Sequence, residues 1–344
     1  MNVLRRYRST HEQRLERWLG PAQLDTLRQA MKDWYAGPIP LALGGAIQVH
    51  AGGDFTGQIS GAAGFSSLSD LIAEATTGKL RQYNFLKNGS AGVVGVTNSL
   101  WGLGAMPAAG ANASNAPGGD APTDATTGAF LIDNVSTDTR HIVSANVNAS
   151  VAGNTLLLYD RIFQVNKTMA STATQAVTGV PTRYQSTTAT DMDYIGGNFL
   201  FVEVGTPALA ATAHNWTVCT YLDQANAAST LPSLTGNSGA IVRRLDHPVM
   251  QWFAPLEAGD IGVKALTQMQ CSASVATGVI NFVIGHPIAW MPIPIVNFGV
   301  PQDYINTCFS LNRIFDDAAL AFLEVSKPTT GATNYTGMFT AVHG

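Results

Sequence analysis

The sequence predicts a mainly β protein, and three observations carry that prediction. From Arg81 onward, short β-branched and aromatic runs alternate with clusters of Gly, Pro, Asn, Ser and Thr, the grammar of a sandwich or barrel rather than of alternating strands and helices. A hydrophobic fraction of 46% supplies a sizeable core and excludes a disordered chain. Only 12% of the 344 residues are charged, about half the usual share of a soluble domain.

Residues 1–40 are expected as a helical arm. Seven basic residues against four acidic ones leave residues 1–35 at +3, so that with a total of −4 the remaining 309 carry −7. Ser9 and Glu12 make an S-x-x-E capping box, Leu15, Trp18 and Leu19 share a face, and Gly20-Pro21 ends one helix and begins the next. Leu24, Leu27, Met31 and Trp34 then recur at three- and four-residue spacing until Gly37-Pro38 stops the run. A hairpin of this size cannot bury both apolar stripes by itself, so they pack on the main body or on another chain. Arg5, Arg6 and Arg8 precede the first cap and could reach phosphate or an acidic neighbour, a solvated basic face being the alternative. The candidate interaction residues are therefore Arg5, Arg6, Arg8, Leu15, Trp18, Leu24, Leu27, Met31 and Trp34.

Residues 41–80 are expected as a linker with one short helix. Residues 41–64 are rich in Gly and Ala with little pattern. In 65–79, Ser67 or Ser69 can cap, Leu68, Leu71, Ile72 and Ala75 share a face, and Gly78 sits where a left-handed residue closes a helix of about Ser69 to Thr77.

Residues 81–344 form the β body. Candidate strands lie at 92–98, 141–149, 155–163, 197–205, 215–223, 250–256, 262–273, 278–286 and 319–326, enough for two packed sheets. The uncharged stretch 88–119 far exceeds an ordinary connection and is either ordered by its neighbours or mobile.

The search for chemistry is mostly negative. The chain has no GxxxxGK[ST], HExxH or G-x-S-x-G pattern. Gly102-Leu-Gly104 begins like a dinucleotide loop, but Pro107 stands at the third glycine position. None of the seven histidines stands at metal-ligand spacing. Asp138 with His141, and Asp246 with His247, could be acid-base pairs or turn carboxylates beside strands. Asp191 and Asp193 could hold calcium or solvate a loop. Asp160 and Arg161 lie among apolar residues and need partners. Gly259-Asp260-Ile261-Gly262 reads as a tight turn, with Asp260 bonding local amides. No catalytic, cofactor-binding or metal-ligating residue is assigned, and the expectation is a protein that is not an enzyme.

Cys219, Cys271 and Cys308 are too far apart for a CxxC pair and do not suggest a disulfide framework. The N-terminal residues lack the apolar run of a secretory signal. The uncharged stretch from Ala265 to Gln302 contains Pro287, Pro292 and Pro294, which break a spanning helix, so no membrane partner is expected. The net charge of −4 disfavours nucleic acid.

Several phrases, FSSLSDLIAEATTGK (65–79), NVSTDTRHIVSANV (134–147), LLLYDRIF (156–163), VPTRY (180–184), LEAGDIGVKALTQMQCSAS (256–274) and GVINFVIGHPIAW (278–290), resemble a family of tailed-bacteriophage virion structural proteins. The order of an LYDR strand, an AGD-x-G-V turn and a strand closing near a His-Pro dipeptide carries the resemblance over about residues 65–344. It implies a capsid cement or decoration protein, a minor capsid component, with the major capsid protein as partner. The site would be the virion, assembled in the host bacterial cytoplasm. The alternative is a neck, tail or receptor-binding fibre protein in which Trp101, Trp216, Trp252 or Trp290 offers a sugar platform. The residues agree with the first reading. Low charge and a surplus of small side chains suit a jelly-roll-like β-sandwich, a homotrimer, whose arm and 88–119 loop reach neighbouring subunits.

Overall fold

The computed structural model describes residues 65, 67–186, 197–237, 240–249, 251–305, 313–325 and 331–344. The whole predicted arm, the linker 41–64, Asp191, Asp193 and Cys308 lie outside the described residues. What is described belongs to the compact unit 55–344 and is mainly β.

One helix, α1 (Leu68–Glu74), opens it, with the Ser67 hydroxyl accepting from the Asp70 N–H and a π turn (Ala75–Lys79) ending at Gly78, φ +93°. Sixteen strands follow. They are β1 (Leu80–Ala91), β2 (Asn98–Ser99), β3 (Ala105–Met106), β4 (Arg140–Ala149), β5 (Asn154–Thr168), β6 (Gln175–Ala176), β7 (Phe199–Val204) and β8 (Asn215–Asp223). The second half comprises β9 (Ala228–Thr230), β10 (Leu234–Thr235), β11 (Val263–Cys271), β12 (Val279–Ile293), β13 (Val300–Asp303), β14 (Arg313–Ile314), β15 (Leu320–Val325) and β16 (Ala332–His343).

They pair into three sheets rather than the expected two. Sheet I runs β13-β4-β16-β1-β3 with β14 beside β4, sheet II runs β10-β8-β11-β6 with β9 beside β8, and sheet III runs β2-β15-β5-β12-β7. Sheets I and II both pack on one face of sheet III, toward its two ends. Leu158 of β5, Met291 of β12 and Phe322 of β15 pack against Phe85, Val147 and Phe339 of sheet I. Farther along the same two long strands, Phe163, Val165, Ile280 and Phe282 pack against Trp216, Tyr221 and Met269 of sheet II. The sandwich is thus double, and β5 and β12 belong to both halves.

A bulge explains why LLLYDRIF reads as continuously apolar. Ile284 and Gly285 of β12 oppose Phe163 and Arg161, leaving Ile162 as the extra residue. An extra residue reverses the alternation of faces, so the inward positions move from Leu156 and Leu158 to Phe163 and Val165. The opposite face of sheet III, with Leu157, Tyr159, Phe201 and Val283, is covered by irregular chain carrying Trp101 and Leu245.

Two expected strands are absent. Residues 92–98 turn at Gly95, φ +72°, with the Val96 N–H donating to the Val93 carbonyl, and only Asn98–Ser99 pairs. Residues 251–256 run irregularly, setting Trp252 and Phe253 against the sheet. The 88–119 stretch contains the end of β1 and then lies along its own body. Lys87 Nζ donates to the Leu103 and Pro107 carbonyls at 2.6 and 3.0 Å, Trp101 Nε1 to that of Ala111, and Asn281 Oδ1 accepts from the Ala113 N–H.

Candidate functional site

In β1, burial alternates so that Phe85 and Lys87 point inward while Gln82, Asn84, Leu86 and Asn88 point out. The registers of sheet I align these outward residues into transverse rows. Met106, Leu86, Thr336 and Asn148 form one row, and Asn84, Met338, Asn146 and Pro301 the next. Gln82, Thr340 and Ser144 form a third, and its two hydroxyls meet at 2.5 Å. These rows contain no charged side chain until Asp303 at the sheet edge. Leu86, Met106 and Met338 are exposed at 45%, 52% and 38%. A surface built for solubility carries charges on roughly a quarter to a third of its positions, and these rows fall well short of that.

The rows continue sideways. A Cβ on Gly299 would stand 2.3 Å from Asn146 Oδ1 and 3.1 Å from Asn148 Oδ1, which places the Ile295–Gly299 loop, with exposed Ile295, Val296 and Phe298, directly beside them. At the other end α1 docks through Leu71, with Phe65, on Val143 and Val342, leaving Leu68 and Ile72 exposed. The helix therefore buries only part of the stripe its sequence offers.

Many of the charges of this body are inside. Arg161, fully buried, pairs with both carboxylate oxygens of Glu203, donates to Gln164 Oε1 at 2.6 Å and to Tyr159 Oη at 3.2 Å, and stacks over Trp101 at 4.7 Å. Burial pushes the Glu203 carboxyl up, but the Arg161 guanidinium outweighs it and holds the group below its ordinary range. Asp160 receives the Arg183 fork at 2.7 and 2.8 Å and the Ala319 N–H at 2.9 Å. Both residues of the Asp-Arg dipeptide thus find the opposite charges they need, on the central strand β5.

His214 is the third such centre. Its Nδ1 faces the Thr212 carbonyl and its Nε2 faces Asp246 Oδ2, each at 2.9 Å. The carbonyl and the ionised carboxylate both accept, so the geometry suits a ring protonated on both nitrogens. Burial opposes that charge, yet the Asp246 hydrogen bond and carboxylate raise the His214 pKa overall. Asp246 also accepts from Trp216 Nε1 and the Asn237 N–H. His247 turns away, its Nε2 accepting the Val202 N–H, and burial lowers it to about 4. Asp138 receives His343 Nδ1 and Lys79, whereas His141 lies edge-on to Phe65. The carboxylates draw partners from elsewhere in the chain, Asp246 from His214, Trp216 and Asn237, and Asp138 from His343 and Lys79. In the 259–262 turn, Gly259 has φ +101° as expected, but Asp260 accepts the Tyr221 hydroxyl instead of local amides.

A cavity of about 250 Å³ opens between the 99–112 segment and β7, lined by Trp101, Asn112, Glu203, Thr206, Arg243 and Asn281. Its carboxylate is already tied to Arg161 and to Asn281 Nδ2, and the lining includes the Ser99 hydroxyl without a histidine beside it. Glu203 is therefore a structural anion with no free proton to exchange. Among the described residues, no three His, Cys, Asp or Glu side chains converge on a metal position, and no helix is long and apolar enough to cross a membrane.

The tryptophans divide. Trp101 and Trp216 are core residues. Trp290, 42% exposed, packs on Trp252 at 5.1 Å, and the series continues through Phe253 to Phe199 at 4.4 Å each.

No family model matches the chain, and no curated protein matches it. Among solved structures, a chain from "Structure of infectious bursal disease virus Gt strain" is similar at 8% identity over 77% of this chain and 80% of that one, with a TM-score of 0.17. That level of likeness carries no argument about fold or function.

Proposed function

We propose that this chain is a structural component of a tailed-bacteriophage virion, a capsid cement or decoration protein that binds the head beside the major capsid protein and contacts copies of itself. The observation that carries the reading is the uncharged, amide- and hydroxyl-rich outer face of sheet I. Charges are drawn into interior pairs such as Arg161–Glu203 and Asp160–Arg183, and a broad face is left that is suited to contact rather than to catalysis or phosphate binding. The phrases of the β body that resemble virion structural proteins support the same reading. Purified virions should contain the protein in many copies, in fixed ratio to the major capsid protein, and heads lacking it should burst at lower temperature. A copy number of a dozen or fewer would remove it from the shell, and absence from finished particles would end the proposal.

The ladder of Trp290, Trp252, Phe253 and Phe199 favours a second reading, a neck, tail or fibre protein whose exposed indole stacks on a sugar ring. Trp101, sealed under Arg161 and against Gly110, cannot serve that role. Binding of the purified protein to whole host cells or isolated glycan, lost in Trp290→Ala, would support this reading; equal binding by the variant would refute it.

A further inference from the structure

We infer that the outer face of sheet I is the seat of a second copy of this chain, an inference that rests on the structural reading above and assigns one surface to it. Three observations select that occupant. The first is charge. Residues 36–344 carry −7 (the total of −4 less the +3 of residues 1–35), so the net charge of this part opposes the close approach of a second copy wherever its charges are exposed. The three rows carry no charge short of Asp303 at the sheet edge, and over the rest of them two copies meet without setting like charges opposite each other. A nucleic acid would need Lys or Arg on this face, and the rows offer none; an oppositely charged protein would need more counter-charge than the edge carboxylate of Asp303.

The second observation is chemical. Asn84, Asn146, Asn148 and Thr336 present both donors and acceptors, so the surface can hydrogen-bond to its own kind, with Leu86 and Met338 as apolar contacts among them. The third is extent. At ~4.8 Å between strands and ~3.3 Å per residue the rows cover roughly 20 by 20 Å. The adjoining rim of Ile295, Val296 and Phe298 enlarges this toward the ~800 Å² each partner gives to a standard interface.

The test uses the full chain in sedimentation velocity between about 1 and 100 μM. Met338→Lys and Leu86→Lys place a charge on exposed side chains and should leave the thermal midpoint and near-UV circular dichroism unchanged. Val180→Lys, at an exposed position outside the rows, is the control. The expected result is an associating wild type and control, with each of the two row variants weakened at least tenfold. A wild type that stays monomeric at 100 μM, association unmoved by both row variants, or equal loss in the control would overturn the inference. The two levels separate cleanly. A protein present in virions but monomeric in solution refutes the self-contact and leaves the virion reading standing, whereas a protein that associates through this face but is missing from particles does the reverse.

Discussion

Replacing Arg161 by methionine keeps a long buried side chain but removes every donor the guanidinium supplies. Both Glu203 oxygens, Gln164 Oε1 and Tyr159 Oη lose a partner, and Glu203 retains the Asn281 amide. Breaking a buried ion pair from one side costs about 3–5 kcal/mol. Within that loss, the cost of the orphaned carboxylate itself is capped at the free energy of protonating Glu203, which from the ordinary glutamate value near 4.5 is about 4 kcal/mol at pH 7.4, at ~1.36 kcal/mol per pH unit; the bonds to Gln164 and Tyr159 are lost in addition.

The sign is fixed by linkage. In the wild type the Glu203 pKa is lowered, so its contribution is present above the unfolded value and lost as pH falls through the folded one. In Arg161→Met the buried carboxyl is raised instead, the folded state holds a proton the unfolded state has released, and the deficit grows by about 1.4 kcal/mol for each pH unit above that range. Urea unfolding at pH 5.5, 6.5 and 7.5, with m held constant, measures it. The double variant Arg161→Met with Glu203→Met should recover at least half of the loss at pH 7.5, since an apolar pair leaves no orphaned charge. A pH-independent deficit, or a double variant as unstable as the sum of the singles, would refute the argument.

Other centres give shorter tests. The raised His214 pKa means that the His214–Asp246 pair contributes fully below the unfolded histidine value and fades as pH rises through the folded one; His214→Asn, destabilised by about 2–4 kcal/mol at pH 6, should close part of its gap to wild type at alkaline pH in the same unfolding assay. Gly110→Ala drives a methyl to within 2.2 Å of the Trp101 ring and should lose about 1–3 kcal/mol, read as a lower urea midpoint. Burial, followed by the charge of Arg243, lowers Lys87 to about 8, so wild-type stability should rise between pH 8 and 10 as the cost of that buried charge is relieved. Lys87→Met releases the carbonyls of Leu103 and Pro107, and hydrogen exchange across residues 101–111 should quicken at least tenfold while sheet II is unchanged.

The strands richest in branched and aromatic residues were legible in the sequence: β4, β5, β7, β8, β11, β12 and β15 fall where the runs place them. β1 and β16, the longest pair in sheet I, were not. Outward Leu80 and Leu86 with inward Arg81 and Lys87 blur the alternation of β1, exposed Met338 does the same in β16, and Gly337 breaks the second run because its missing side chain makes room for the Phe85 ring. The helix was placed within a few residues, since a cap and a closing glycine are local signals. The uncharged face was invisible for the opposite reason. It is assembled from β1, β3, β4, β13 and β16, separated by up to about two hundred and fifty positions, and only register shows that their neutral residues meet. Aromatic composition likewise could not separate Trp101, sealed by Arg161, from exposed Trp290.

The long antiparallel pair of β5 and β12, joined through fourteen registered positions and shared by both packed halves, has a mechanical consequence. A pull that tried to part the halves along this axis would load its cross-strand hydrogen bonds side by side, in shear, instead of peeling them one after another. Such a tie beam resists stretching without a hinge.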